Sequence, residues 1–224
     1  MESAGRVRKA TTLMLPLQIA IDGPAASGKT TVAQELARRL HVDFVDTGAM
    51  YRALAYEALR RGIDPHDGAA LAPLVDAAVS ETIPEKTLQS EPVTAIVSTV
   101  AANPDVREAM VAAQRNLAGR RSLVMAGRDI GTVVLPDAPV KIYLTASVDA
   151  RVERRHAQLE QAGTEVDRNR LRDEIETRDR NDSTRAVSPL EPARDAHRID
   201  SSALTIDQVV DAILEIVHRS VAPR

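Results

Sequence analysis

Residues 15–224 predict an α/β fold in three layers, a parallel five-stranded sheet flanked by helices. Two observations carry this. Short, continuously apolar runs alternate with amphipathic runs of helix length, the pattern of strands buried on both faces and joined by crossover helices. The run Gly23-Pro24-Ala25-Ala26-Ser27-Gly28-Lys29-Thr30 fills the pattern G-x-x-x-x-G-K-[ST] without a gap, between the first such strand and the first such helix.

The elements follow in order. Apolar residues 15–21 read as the first strand and 31–40 as an amphipathic helix; 42–45 and 49–61 repeat the pair. The stretch 64–104 has no clear strand and carries the turn formers Pro73, Pro84 and Pro92, so it reads as an insert. A helix at 105–118 and strands at 123–125 and 140–144 resume the core. Helical patterns at 148–160 and 169–180, a short strand near Ile199 and a helix at 206–217 complete it. The expected division is a single domain over 15–224. Its core is 15–63, 105–150 and 186–224, carrying an acceptor-binding insert at about 64–104 and an arginine-rich lid at about 151–185. Residues 1–14 read as a flexible tail, because Arg6, Arg8 and Lys9 are not followed by an apolar segment of signal-peptide length. In open parallel sheets ligands gather beyond the carboxyl ends of the strands. Residues 23–30, 46–52, 127–129 and 145–149 all follow strand ends and are expected to meet at one crevice.

Composition narrows the function classes. With 224 residues, 44% of them hydrophobic, the chain can bury one good core with room for inserts. A net charge of −3 argues against a nucleic-acid partner, which usually demands a basic excess. The scarcity of aromatics, 2%, argues against base stacking by the arginine-rich stretch. No segment approaches the ~20 apolar residues of a membrane span. The absence of cysteine excludes disulfides, thiolate nucleophiles and cysteine zinc sites. The expectation is a cytoplasmic monomer acting on small molecules, with no nucleic-acid or membrane partner.

The chemistry begins at the glycine-rich loop. Its glycines let backbone N–H groups turn inward toward phosphate oxygens, and the following helix N-terminus adds roughly half a positive charge. Lys29 can reach the β and γ phosphates, and the Thr30 hydroxyl can hold Mg²⁺. The expected ATP-binding residues are therefore Gly23, Pro24, Ala25, Ala26, Ser27, Gly28, Lys29, Thr30 and Thr31. A GTPase would add an N-K-x-D motif and a D-x-x-G switch, and a motor ATPase an apolar strand ending in two acidic residues; none of these occurs. Small kinases that move a γ-phosphoryl group onto a bound acceptor remain.

Five further blocks sharpen this: I-A-I-D-G-P at 19–24, D-T-G-A-M-Y-R at 46–52, G-R-D-I-G-T-V-V at 127–134, P-D-A-P-V-K-I-Y at 136–143 and R-D-R-N-D-S-T-R-A-V-S-P at 178–189. Together, in this order and spacing, they make the chain resemble bacterial cytidylate kinases. The resemblance implies transfer of the ATP γ-phosphate to CMP or dCMP, with Mg²⁺ required. It implies that Arg52, Arg128 and Arg178 hold the acceptor phosphate, with Lys29, Arg128 and Arg178 catalytic. It also implies that Ser98, Arg107, Asp129 and Arg185 read the cytosine with Thr47 nearby, and that Asp182 meets the ribose. These residue types suit the reaction. Two polyanions must be brought together, and arginine forks bind phosphate oxygens bidentately. Asp129 and Asp182 cannot be phosphate ligands, so they serve either as acceptors for substrate donors or as partners orienting arginines. Arg151, Arg154 and Arg155 are placed to swing over the ATP phosphates, and Arg154 is taken as an ATP-binding residue. No strong base is needed at an ionised phosphate, and the five histidines are read as structural.

Two positions depart from the family pattern. Ala126 stands where an acidic residue usually precedes Gly127-Arg128-Asp129, leaving Thr30 as the evident Mg²⁺ ligand and Asp22 as a possible substitute. The segment 71–93 is shorter than the strand-bearing insert of the family, which bears on discrimination against UMP. The alternatives are a P-loop kinase for another acceptor, such as UMP, AMP or a non-nucleotide alcohol, and a nucleotide-binding regulator with weak turnover.

Overall fold

The computed structural model describes residues 16–119, 121–161, 163, 165–184 and 187–221. The tail at 1–14, Leu15 of the expected first strand, and Arg185 lie outside the described residues.

The chain runs β1 (Gln18–Asp22), α1 (Lys29–Leu40), β2 (Asp43–Asp46), α2 (Thr47–Arg61), α3 (Gly68–Leu71), α4 (Val75–Ser80), α5 (Glu85–Leu88), α6 (Glu91–Ala102), α7 (Pro104–Ala118), β3 (Leu123–Gly127), β4 (Val140–Thr145), α8 (Val148–Gln161), α9 (Arg168–Thr184), β5 (His197–Asp200) and α10 (Ile206–Val221). A π-helical turn, Ile130–Val134, links β3 to β4. The five strands form one sheet in the order β2-β3-β1-β4-β5, every pairing parallel. The expected fold class and all five strands are therefore present.

Alternation within the strands sets the layers, since successive side chains point to opposite faces. Ile19, Ile21, Val124, Val140, Ile142 and Leu144 pack on one face against Val32, Ala33 and Leu36 of α1 and Val209, Val210 and Ile213 of α10. Ala20, Leu123 and Met125 meet Ile130, Val134 and Leu135 of the π-turn and its exit on the other. Lys141 also points to this second face, where Asp195 holds its ammonium at 2.8 Å.

The segment 64–104 is helical rather than irregular. Its prolines sit where helices begin: Pro73 in the first turn of a short 3₁₀ helix, Pro84 at the cap of α5 and Pro92 in the first turn of α6. A proline there costs nothing, because the first N–H groups of a helix lack intrahelical partners. These helices and α2 and α7 enclose a core of their own, including Leu54, Leu71, Val75, Val93, Val100 and Met110. A smaller cluster, Val152, Leu171 and Ile175, joins α8 to α9.

The strand ends are level. Asp22 pairs with Gly127 and Tyr143, Asp46 with Ala126, and Thr145 with Asp200. Each following loop thus leaves the sheet at one edge, as expected. Among the described residues no helix is long and apolar enough to cross a membrane.

Candidate functional site

The loop at 23–30 leaves β1 in a conformation that two glycines make possible. Gly23 has φ 152°, and a Cβ there would lie 2.1 Å from the Leu144 carbonyl oxygen, so only glycine lets the loop pass β4. Gly28 has φ 90° as it opens α1, a region that side chains avoid. Ala26 takes φ 56° despite its side chain, the kind of backbone strain that collects at functional sites.

Lys29 folds back over this loop. Its ammonium donates to the Pro24 carbonyl at 2.6 Å and to Ser27 Oγ at 3.4 Å, and the residue is buried. Burial, then the nearby cations Arg128 and Arg178, hold its pKa well below the ordinary lysine value. Thr30 and Thr31 are exposed in the first turn of α1.

Arginines from separate elements face this loop. Arg128 follows β3, and its Nε donates to Asp182 of α9 at 2.8 Å. Arg178, one turn earlier on α9, is exposed. The protein packed around it, followed by the charge of Arg128, lowers its pKa to about 10, with Arg52 and Arg155 adding to the shift; it stays a cation at neutral pH. Arg52 of α2 contacts Asp46 at 3.2 Å, and its buried Nε has no hydrogen-bond partner among the described residues. Lys29, Arg52, Arg128 and Arg178 are thus electrostatic neighbours at one strand edge.

Beside them Arg107 of α7 makes a buried ion pair with Asp129 and donates to the Tyr51 hydroxyl at 3.3 Å. Its own Nε is also unpartnered among the described residues. Both aspartates therefore orient arginines in this state, Asp129 holding Arg107 and Asp182 holding Arg128. Thr47 donates its hydroxyl to the Ala126 carbonyl at 2.8 Å, tying the start of α2 to β3. Ser98 stands exposed on α6.

The three arginines of α8 divide. Arg151 is buried, bound to the Ala25 and Ala146 carbonyls and to Asp179, so it is not free to swing. Arg154 lies against the loop, its guanidinium donating to the Ser27 carbonyl at 3.5 Å and to Ser201. Arg155 donates to Gln158, on its own helix. Asp22, the possible substitute metal ligand, is engaged by the backbone after β3. Its two oxygens accept the Ile130 and Gly131 N–H groups at 2.8 and 2.7 Å, and burial pushes its pKa up to about 6.

Sequence reasoning missed Asp46, Asp179 and Ser201. Asp46 had a signal, an aspartate just before a helix, and it accepts the Ala49 N–H at the N-cap of α2. The other two act across long sequence separations and leave no local trace.

A phosphate-cradling loop at the switch point of a parallel sheet, facing guanidinium groups from three other elements, defines a P-loop phosphotransferase. A family model described as cytidylate kinase matches residues 19–219. Cytidylate kinase from Geobacillus kaustophilus (strain HTA426) is 47% identical over 219 residues, covering 92% of this chain and 98% of that relative. The Corynebacterium glutamicum cytidylate kinase is 45% identical over 219 residues, covering 91% of this chain and 95% of its own. The chain belongs to the cytidylate kinase family. A gluconokinase from Sinorhizobium meliloti 1021 has a similar fold, with a TM-score of 0.51 at 18% identity, covering 92% of this chain and 93% of its own.

Proposed function

We propose that this protein transfers the γ-phosphoryl group of ATP to CMP or dCMP, giving ADP and CDP or dCDP. Family membership supports the reaction, and one observation carries the site: Lys29 and the arginines Arg52, Arg128 and Arg178 are gathered at one strand edge. ATP lies along residues 23–31, with Lys29 on its terminal phosphates and Arg154 beside the loop. The acceptor phosphate lies among Arg52, Arg128 and Arg178. Ser98, Arg107, Asp129 and Arg185 read the base, Thr47 lies nearby, and Asp182 meets the ribose.

The chemistry asks little beyond this. An acceptor phosphate oxygen is already ionised, so no base has to remove a proton. Catalysis comes from holding the oxygen in line with the γ-phosphorus and from cationic groups that follow the moving charge. The buried ammonium of Lys29 and the crowded Arg178 are costly to keep charged alone, and bound phosphates relieve that cost. Segments 64–104 and 151–185 act as acceptor-binding insert and lid, excluding water from the reacting phosphate.

The donor set fits Mg²⁺ of the loosely held kind. Among the described residues no three acidic or histidine side chains are grouped to hold a metal, and Thr30 presents an exposed hydroxyl at the loop. Mg²⁺ in such sites keeps several waters and leans on substrate phosphates. When bound it would neutralise charge on the β and γ oxygens, with Thr30 the residue holding it.

A coupled assay of ADP formation with CMP, dCMP, UMP and AMP offered in turn tests the reading. CMP and dCMP should give the highest kcat/KM. A preference for UMP or AMP would overturn the acceptor assignment, and nucleotide binding without ADP formation would overturn the enzyme.

A further inference from the structure

The peptide of Ala25, inside the phosphate loop, is gripped on both sides. Its N–H donates to Asp179 Oδ1 at 3.3 Å and its carbonyl accepts from Arg151 Nη1 at 3.2 Å. Arg151 and Asp179 are themselves an ion pair. The Arg151 Nε is anchored to the Ala146 carbonyl just beyond β4 at 3.1 Å. Arg151 is 5% exposed, and next to this pair Ala26 packs on the cluster Val152, Leu171 and Ile175 that joins α8 to α9. Asp179 directly follows Arg178. One turn further on, Asp182 holds Arg128. The turn of α9 directly after Arg178 is therefore pinned twice, once to the phosphate loop and once to the arginine after β3.

We propose that Arg151 and Asp179 are a positioning pair that locks α9 against the phosphate loop, so that Arg178 is delivered to the reacting phosphates only when loop and helix are in register. The inference rests on the kinase reading above and gives a positioning role to Asp179 and to Arg151, which is buried and not free to swing over the ATP phosphates as expected. Two charge-assisted hydrogen bonds meet the backbone of one residue, and an ion pair joins the two side chains that make them, a geometry far more restrictive than an exposed ion pair. Small displacements of a phosphate-holding group cost much of the benefit of orientation. Breaking one side leaves the other charge poorly compensated, so the two residues act as a unit.

The full chain is compared with Asp179→Asn, Arg151→Gln and the double variant, with turnover, binding of a fluorescent ATP analogue and thermal melting each measured. Each single variant should lower kcat by about tenfold or more while analogue affinity moves less than about threefold. The double variant should be no slower than the worse single within about twofold. In hydrogen exchange at saturating analogue, the α9 amides should lose protection in every variant. Turnover within about twofold of the unmutated chain, multiplicative losses in the double variant, or α9 protection unchanged would each overturn the pair. If Arg151→Gln does not fold, the partly exposed Asp179 decides alone: Asp179→Glu, which keeps the carboxylate, should be faster than Asp179→Asn, and equal rates would refute the role. An unmutated chain that phosphorylates no nucleoside monophosphate would instead sink the kinase reading, and the exchange experiment would still judge the clamp.

Discussion

At the scale of single residues, charge decides the site. Each arginine meeting the acceptor contributes a charge-assisted hydrogen bond of about 1.5–3 kcal/mol. Arg128→Ala should therefore lower kcat/KM for the acceptor by about ten- to a hundredfold, with the KM for ATP nearly unchanged in initial-rate kinetics. Ala126 poses a different question. It is buried on the α1 face of the sheet, so Ala126→Asp should lower the Mg²⁺ concentration needed for half-maximal rate but also the melting temperature, since a carboxylate is forced into an apolar layer. An unchanged Mg²⁺ titration would show that position to be irrelevant to the metal. Asp22 gives a pH dependence. Burial raises its pKa from 3.8 to about 6 against the lowering effect of two backbone N–H groups. A raised carboxyl favours the folded state when protonated, so its contribution is complete below about pH 4 and is lost as pH rises through 6. Relative to Asp22→Ala, the unmutated chain should lose up to about 3 kcal/mol of stability between pH 4 and 7 in denaturant titrations. A difference that is flat with pH would refute the shift.

At the scale of elements, short helices depend on their ends. Helix α7 carries Arg107 and begins at Asn103, whose side chain accepts the Asp105 and Val106 N–H groups at 3.0 and 3.5 Å and donates to the His66 carbonyl at 3.1 Å. One residue thus caps α7 and closes the insert onto it. Asn103→Ala should cost about 1–2 kcal/mol in chemical unfolding, and ATP-analogue binding should stay unchanged because the phosphate loop is built from other elements. The same end effects explain why the insert was unreadable as helix. Its helical segments before α6 are only three to six residues long, too short for periodicity to speak, and proline starts a helix as readily as it breaks one. The longer helices, with twelve or more residues and a sustained apolar stripe, were legible to within a few residues of their ends.

At the scale of the whole molecule, a chain of net charge −3 still brings Lys29, Arg128, Arg178 and Arg52 near one another. Raising salt from about 0.05 to 0.5 M, which shrinks the screening length from beyond 10 Å to a few ångströms, should raise the KM for the acceptor several-fold. A KM insensitive to salt would argue against a phosphate held by guanidinium groups that solvent reaches. Local sequence determined the strand–helix alternation, the phosphate loop and the identity of the arginines, because periodicity and loop chemistry act over neighbouring residues. The tertiary structure alone decided what those charges do. It gave Asp22 to the backbone after β3, turned Asp129 and Asp182 into arginine partners, buried Arg151 and joined Asp179 to Ala25 across 154 positions of chain. An ionised side chain in low dielectric takes whichever partner folding brings within reach, and that reach is set by packing, not by order along the chain.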